Sequence, residues 1–420
     1  MISANMAASN LFRPLAGRRV LDLTKILAGP LCTQVLADMG ADVIKIEPPR
    51  GDDTRHWPPF QDGTGTIFLS VNRNKRSLAI DLKQPDGLAL CQKICAGSDI
   101  LVESFGPGVA ERLGLGWDAT QALNPKLVYA SISGYGTQGP MRDAKGYDLI
   151  AQAFAGMLSI TGQPDGAIAR SPFSPVDQAT GLNAVIAILG GIIQADATGR
   201  GVKLDTSLFD SAVGLLGYIL QGFWQTGREP QRRGSAHESL CPYEAFETSD
   251  HPIILGVAND SLWRAFADLA GHPQWADDPR YATGAARVAH RAEVVAMVAA
   301  ILLQKPRAEW LALLEARGIP TSPVNNLGQL TAHPHTAASG MVLSAGEFKT
   351  VASPFRAHGQ RLPIYATPPA LGEQGPAILG EFGFSPSEIE DLIDRRIVFA
   401  PAQPRQAEPD LRRPDLSRRI

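Results

Sequence analysis

Arg18-Arg-Val-Leu-Asp-Leu23, then Thr24-Lys-Ile-Leu-Ala-Gly-Pro30, then Asp42-Val-Ile-Lys-Ile-Glu47: the reading of these three runs decides the fold. The first and third are short runs with apolar residues, Val20, Leu21 and Leu23 in one and Val43, Ile44 and Ile46 in the other, and they read as strands. Between them Pro30 suits the first turn of a helix, and Gly40 ends it. Strand, helix and strand in that order form a βαβ unit, whose two strands lie parallel in one sheet. The turn after the first strand has no GxGxxG, so NAD is not implied although the topology resembles the dinucleotide folds.

Working outward, strands are expected at 77–82, 99–103, 127–133 and 202–206, with a helix from Pro85 to about Gly97. In an open α/β sheet the loops after strand C-termini bind ligands. That rule marks Arg50, Arg55 and Trp57 after the second strand, and Lys83 after the third. It also marks the turn Ser104-Phe-Gly-Pro-Gly108 with Arg112 behind it; Lys145-Gly-Tyr-Asp148 follows later and opens a helix running to about Leu158. Glycine in such a turn lets backbone approach a ligand closely.

Further on, Arg170-Ser-Pro-Phe-Ser-Pro-Val-Asp177 leads into Leu182-Asn-Ala-Val-Ile-Ala-Ile-Leu-Gly-Gly-Ile-Ile-Gln194. Two prolines hold the approach extended, and the residues after Asp177 read as a buried helix, apolar on nearly every face. Asp177 is then expected at the N-cap, facing orphan backbone N–H groups and the positive end of the helix dipole. It is either a simple cap or an anionic nucleophile held at the rim of a core helix. The residues alone leave both open.

Composition bounds the rest. The 420 residues exceed one ordinary core, so two or more lobes are expected. A formal charge of −3 gives no general attraction to nucleic acid or anionic membrane. Cys32, Cys91, Cys95 and Cys241 lack zinc-type spacing and read as buried thiols in a reducing cytoplasm, and no metal site is expected. Residues 1–10 lack a basic region followed by an apolar run, and 182–194 is shorter than a membrane span, so a soluble, unexported protein is expected. After a polar linker at 225–239, a hairpin turning at Ser249-Asp250 and helices near 260–270, 286–303 and 306–317 make a smaller α+β domain at 240–325. A linker at 326–372 reads as irregular and Pro-rich. Helical segments near 376–384 and 386–395 follow, and the tail 401–420 is expected to have no fixed structure.

Several ordered motifs then carry a family resemblance. These are Val20-Leu-Asp-Leu23, Ala28-Gly-Pro30, Leu36-Ala-Asp-Met-Gly-Ala-Asp-Val-Ile-Lys-Ile-Glu47, Asn74-Lys-Arg-Ser77, Phe105-Gly-Pro-Gly108, Gly146-Tyr-Asp148, Gly199-Arg-Gly201, Gly318-Ile-Pro-Thr-Ser-Pro-Val-Asn325 and Leu371-Gly-Glu373. Together, from about residue 15 to 398, the chain resembles the class III CoA-transferases, the family of formyl-CoA transferase and carnitine CoA-transferase that also includes the α-methylacyl-CoA racemases. The resemblance implies a Rossmann-like large domain over 1–224, joined by the segment 373–400, with the smaller domain at 240–325 and two subunits interlocked as a homodimer.

It also implies chemistry. An aspartate attacks an acyl-CoA thioester to give a mixed anhydride and CoA thiolate. The thiolate returns to form an aspartyl-CoA thioester, and an acceptor carboxylate then takes the CoA. The nucleophile falls on Asp177. The CoA-contacting positions fall on Leu27, Ala28, Lys83, Ser104, Phe105, Gly106, Arg112, Lys145, Gly146, Tyr147 and Asp148, with CoA or acyl-CoA as substrate and no tightly bound cofactor. Trp57, Phe68 and His237 are candidates for shaping the acyl pocket, and Arg50, Arg55, Arg170 and Arg233 for pairing with a distal carboxylate of a dicarboxylic acid. The family's four-glycine loop is missing, with Arg233-Gly-Ser-Ala-His-Glu238 in its place, which disfavours formyl-CoA and oxalate. The racemase branch reads Gly-His-Asp where this chain reads Gly146-Tyr147-Asp148, so transfer is favoured and α-proton exchange is the alternative.

Overall fold

The computed structural model describes residues 12–400. The N-terminal stretch read for targeting and the tail 401–420 lie outside the described residues. The chain forms two compact units. One comprises the chain up to Asp148, Pro175–Ala212 and the chain from Met341 onward, and the other comprises Leu149–Ser174 and Val213–Gly340. The expected limits of 1–224 and 240–325 differ from these units in where Leu149–Ser174 and the segment after Ala212 fall.

In the first unit, strands β1 (Arg19–Leu23), β2 (Asp42–Glu47), β3 (Lys75–Ile80), β4 (Ile100–Glu103), β5 (Val128–Ser133) and β6 (Val202–Ser207) form one sheet. Their order is β3-β2-β1-β4-β5-β6, all parallel, and the short strand Val398–Phe399 adds antiparallel to β3. The order reverses between β1 and β4, where an open α/β sheet leaves a crevice at the strand C-termini. Helix α1 (Ala28–Asp38) follows β1 and helix α2 (Pro85–Ala96) follows β3; Pro85 starts α2, as its fixed φ favours.

The two faces of this sheet differ. On one, Leu21, Leu23, Ile44, Ile46, Leu78 and Ile80 pack with Leu90, Cys91 and Ile94 of α2 and with Ile378, Leu379, Ile389 and Leu392. Because side chains alternate along a strand, Asp22, Lys45, Glu47 and Lys75 point to the other face, and all four are buried. Asp22 pairs in register with Lys45, and Lys45 with Ser77. Lys75 Nζ reaches Asp22 Oδ2 at 3.1 Å, and Lys45 Nζ reaches Asp52 Oδ2 at 3.1 Å. Arg55 bonds Glu47 at 2.7 Å and lies 3.6 Å over the Phe68 ring. Burial pushes the Asp22 carboxyl up, but the charges of Lys75 and Lys45 outweigh it and hold it below its ordinary value. Burial acts on Asp52 in the same way and is outweighed by Lys45 and the bonds from Thr54.

Helix α3 (Pro175–Thr198) begins earlier and runs longer than expected. Pro175 opens it, so Asp177 is its third residue and not its N-cap. By length and composition this helix could cross a membrane. It nevertheless packs one side on the sheet: a Cβ added at Gly191 would lie 2.9–3.2 Å from Val128, Val202 and Leu204. The opposite side leaves Ile186 and Ile193 about 70% exposed, so the helix is not buried on every face.

In the second unit β7 (Tyr243–Phe246), β8 (Ile253–Gly256) and β9 (Thr321–Pro323) form an antiparallel sheet in the order β9-β8-β7. Its core joins Phe246, Ile253 and Leu255 to Trp263, Phe266, Val298, Trp310 and Leu314 from three helices. Asn259 caps the first of these, accepting from Leu262 N–H at 2.9 Å. The passage 326–372 is more ordered than its composition suggests: it holds helices Leu327–Ala332 and Pro334–Ser339 and, in the first unit, the hairpin Val342–Ala345 with Phe348–Val351. Gly346 at φ +61° makes that tight turn, a conformation glycine adopts without cost.

Candidate functional site

The loops after β1 and β4 meet at the reversal point, where the Lys25 N–H donates to Ser104 Oγ at 3.1 Å. They line a cavity of about 620 Å³ that runs past Ser133, Ser131 and Tyr129 of β5 to Lys203. Asp177 is on its wall, half-buried in the first turn of α3.

Three features place that carboxylate. The first-turn N–H groups of α3, which have no partner within the helix, donate to Asp148 Oδ2, from Val176 at 2.9 Å and from Asp177 at 3.1 Å. Asp148, brought in from another segment, therefore does the capping expected of Asp177, and the Asp177 carboxylate is left to face the cavity. Next, Gly181 lets α3 sit against α1, since an added Cβ would come within 2.6 Å of the Ala28 carbonyl oxygen. Finally, burial, with the Asp148 charge as a smaller cause, pushes the Asp177 carboxyl up to about 7.

Across the cavity, Glu103 Oε2 accepts the Phe105 N–H at 2.7 Å, bracing the turn Ser104–Gly106, and Tyr129 Oη donates to Glu103 Oε1 at 3.4 Å. Burial pushes the Glu103 carboxyl above its usual range. Cations on the wall are Lys25, Arg142, Lys145 and Lys203. Among the described residues no three His, Cys, Asp or Glu side chains cluster as metal ligands.

Of the residues singled out from sequence, Leu27, Ala28, Ser104, Phe105, Gly106, Lys145, Gly146, Tyr147 and Asp177 come together on this wall, and Asp148 lies buried behind it. Lys83 and Arg112 are not on the wall. Lys83 is exposed on the turn after β3, two strands away from the reversal point, and Arg112 is exposed beside Gly108. Trp57 is 39% exposed and also off the wall. Phe68 is fully buried under Arg55, which itself is held by Glu47 and the Pro369 carbonyl, so neither is free to meet a ligand. His237 belongs to the second unit, its ring edge-on to Tyr243 with centroids 5.6 Å apart. Arg50, Arg170 and Arg233 are exposed and off the wall. Lys25, Arg142, Lys203 and Glu103 were not found from the sequence. Lys25 and Glu103 flank loops that the strand-end rule marks, whereas Lys203 lies early in β6 and reaches the cavity only through its register with Tyr129.

Known proteins point to one family. The model described as CoA-transferase family III matches residues 15–375. Succinyl-CoA:glutarate CoA-transferase of Mus musculus is 37% identical over 394 residues, covering 92% of this chain and 90% of the mouse protein. Succinate–glutarate CoA-transferase of Agrobacterium fabrum is 38% identical over 385 residues, covering 88% and 95%. The crystal structure of a CAIB/BAIF family protein from Brucella suis matches with a TM-score of 0.80 at 36% identity, covering 88% of this chain and 99% of that one. The chain belongs to CoA-transferase family III, whose members are enzymes acting on CoA thioesters.

Proposed function

We propose that this protein moves CoA from a small acyl-CoA of the succinyl type to a small carboxylic acid such as glutarate, with Asp177 as the nucleophile. The observation that carries the reading is the position of Asp177: a half-buried carboxylate on the wall of a large crevice, its own backbone N–H satisfied by Asp148. The Asp177 oxygen attacks the thioester carbon, giving a mixed anhydride and CoA thiolate. The thiolate attacks the aspartyl carbonyl and expels the first acid, leaving an aspartyl-CoA thioester. The acceptor carboxylate attacks that carbonyl, the thiolate leaves again, and it finally attacks the acceptor's acyl carbon, freeing Asp177. Each covalent step replaces one difficult exchange by an easier one.

Lys25, Arg142, Lys145 and Lys203 suit the phosphate charges of CoA. The succinyl and glutarate assignments rest on the names of the mouse and Agrobacterium relatives. Oxalate belongs among the acceptors to be tested, because a relative from Acetobacter aceti, 35% identical, is an acetyl-CoA:oxalate CoA-transferase. Tyr147 supports transfer over α-proton exchange, since it stands where the racemase branch carries a histidine. Apolar side chains exposed on the single chain, among them Ile186, Ile193, Tyr218 and Trp224, support a homodimer. Four buried free thiols suit a cytoplasmic setting.

The test is a panel of succinyl-, acetyl- and formyl-CoA against glutarate, succinate, oxalate and monocarboxylates, with products identified by mass spectrometry. Exchange between succinyl-CoA and glutarate, absent in Asp177→Asn, is expected. Activity confined to long-chain acyl-CoA, or an active Asp177→Asn, would overturn the reading.

A further inference from the structure

The loop carrying Leu27 and Ala28 holds a conformation that its sequence resists. Ile26 sits at φ +73°. For a β-branched residue this left-handed region is a genuine outlier, and such strain persists only where the surroundings over-determine it. Those surroundings are the ionic face of the sheet. The Ile26 N–H donates to both carboxylate oxygens of Asp52, at 3.3 and 3.2 Å. Asp52 is fixed in turn by Thr54, through its N–H at 3.0 Å and its hydroxyl at 2.8 Å, and by Lys45 Nζ at 3.1 Å. The same Lys45 donates to the Thr24 carbonyl at 2.9 Å, so one ammonium ties Asp52 to the start of the loop. Asp22 accepts from the Thr24 N–H at 2.9 Å, and Lys75 donates to the Pro30 carbonyl at 2.9 Å, closing the far end. The side chains of Lys45 and Asp52 are at most 1% exposed, and neither is on the cavity wall. They touch the loop from behind and no ligand from the front.

We infer that Asp52, held by Lys45, is a positioning residue of the transfer reaction: it fixes Ile26 in the left-handed conformation and so pre-forms the wall Leu27–Gly29 against which the thioester end of acyl-CoA is held. The inference rests on the function proposed above. Nothing moves at the moment of binding, because the loop's conformation is set by charges buried during folding. An unclamped loop relaxes to negative φ, and the ligand then has to restore the strained state at the expense of its own affinity.

The experiment is a double-mutant cycle in the full-length protein, reading the dissociation constant of free CoA by calorimetry, kcat and KM for the donor–acceptor pair found active, and the unfolding midpoint. On the Ile26 background Asp52→Asn is expected to weaken CoA binding about tenfold, by releasing the strain at Ile26. On the Ile26→Gly background, where glycine takes either sign of φ at little cost, the same change is expected to cost about twofold. Ile26→Pro leaves Asp52 and Lys45 paired but locks φ negative and removes the N–H; it is expected to stay folded and to lose CoA affinity, which keeps the test decisive if Asp52→Asn fails to fold. Equal costs on the two backgrounds, or an Ile26→Pro variant that binds CoA as the wild type does, would overturn the inference. If the wild type binds CoA but exchanges it with no acid, the transferase reading fails while the affinities still decide whether the clamp exists.

Discussion

The two faces of the sheet over β1, β2 and β3 are built from the same three strands and solve different problems. Toward α2 the face is aliphatic, and its contacts are non-directional, so it supplies stability and tolerates repacking. Toward α1 the face carries Asp22, Lys45, Glu47 and Lys75, each buried and each paired at a defined distance. Taking such charges out of water is costly, and well-packed apolar residues would serve stability at least as well. What charges provide that aliphatics cannot is direction. Their hydrogen bonds end on Thr24 and Pro30 and, through Asp52, on Ile26, the backbone beside the cavity.

Removing one charge is the strongest way to break this contrast. Asp22→Ala strands Lys75 and removes the acceptor of Thr24 and Thr33; it should lower stability by about 3–5 kcal/mol and weaken CoA binding as well. Leu78→Ala on the other face should cost about 3 kcal/mol through the cavity it leaves, with CoA affinity unchanged in the protein that remains folded. Urea unfolding and calorimetry on the two variants check the pair. Equal losses of affinity would mean that the two faces do not divide the work.

A change of opposite sign is expected at Asp177. Its folded-state carboxyl is raised from 3.8 to about 7, so between those values the folded protein binds the extra proton, and the stability this contributes is lost as pH rises through 7. Asp177→Asn cannot ionise. It should therefore be more stable than the wild type at pH 8, by on the order of 2–4 kcal/mol, and nearly equal to it at pH 4. Thermal unfolding at the two pH values reads this directly. A smaller effect is expected where the site meets the helix: Gly181→Ala places a methyl group 2.6 Å from the Ala28 carbonyl and should cost about 1–3 kcal/mol as α3 is pushed from α1, with kcat falling more than CoA affinity.

The contrast also explains what the sequence discloses. Strands β1 to β6 are legible to within two residues, because their aliphatic face imposes alternation and the loops between them carry Gly and Pro. The strand-end rule then finds the Ser104–Gly106 loop, and the family resemblance adds Leu27–Ala28 and Lys145–Tyr147. The ionic face is not legible: Lys75 and Asp22 are 53 positions apart and meet only through sheet register. Charged letters such as Arg55, Lys83 and Arg112 look alike in a loop, yet Arg55 is spent inside on Glu47 while the other two stand off the cavity wall. From the sequence Asp177 is expected at the N-cap position, whether as a simple cap or as the nucleophile, because an acidic residue after a proline signals a helix start. Pro175 instead begins the helix, and the capping carboxylate, Asp148, comes from 29 positions earlier. The edge strand Val398–Phe399 is too short to leave a periodic trace.

In the proposed reaction Asp177 becomes activated during turnover, first as a mixed anhydride and then as a thioester with CoA. Wild-type protein is incubated with succinyl-CoA, trapped with hydroxylamine, digested and mapped by mass spectrometry, with Asp177→Asn and protein lacking acyl-CoA as controls. A hydroxamate on Asp177, dependent on acyl-CoA and absent from both controls, is the predicted result. A mark on Asp148, or full turnover with no mark on Asp177, would contradict the account.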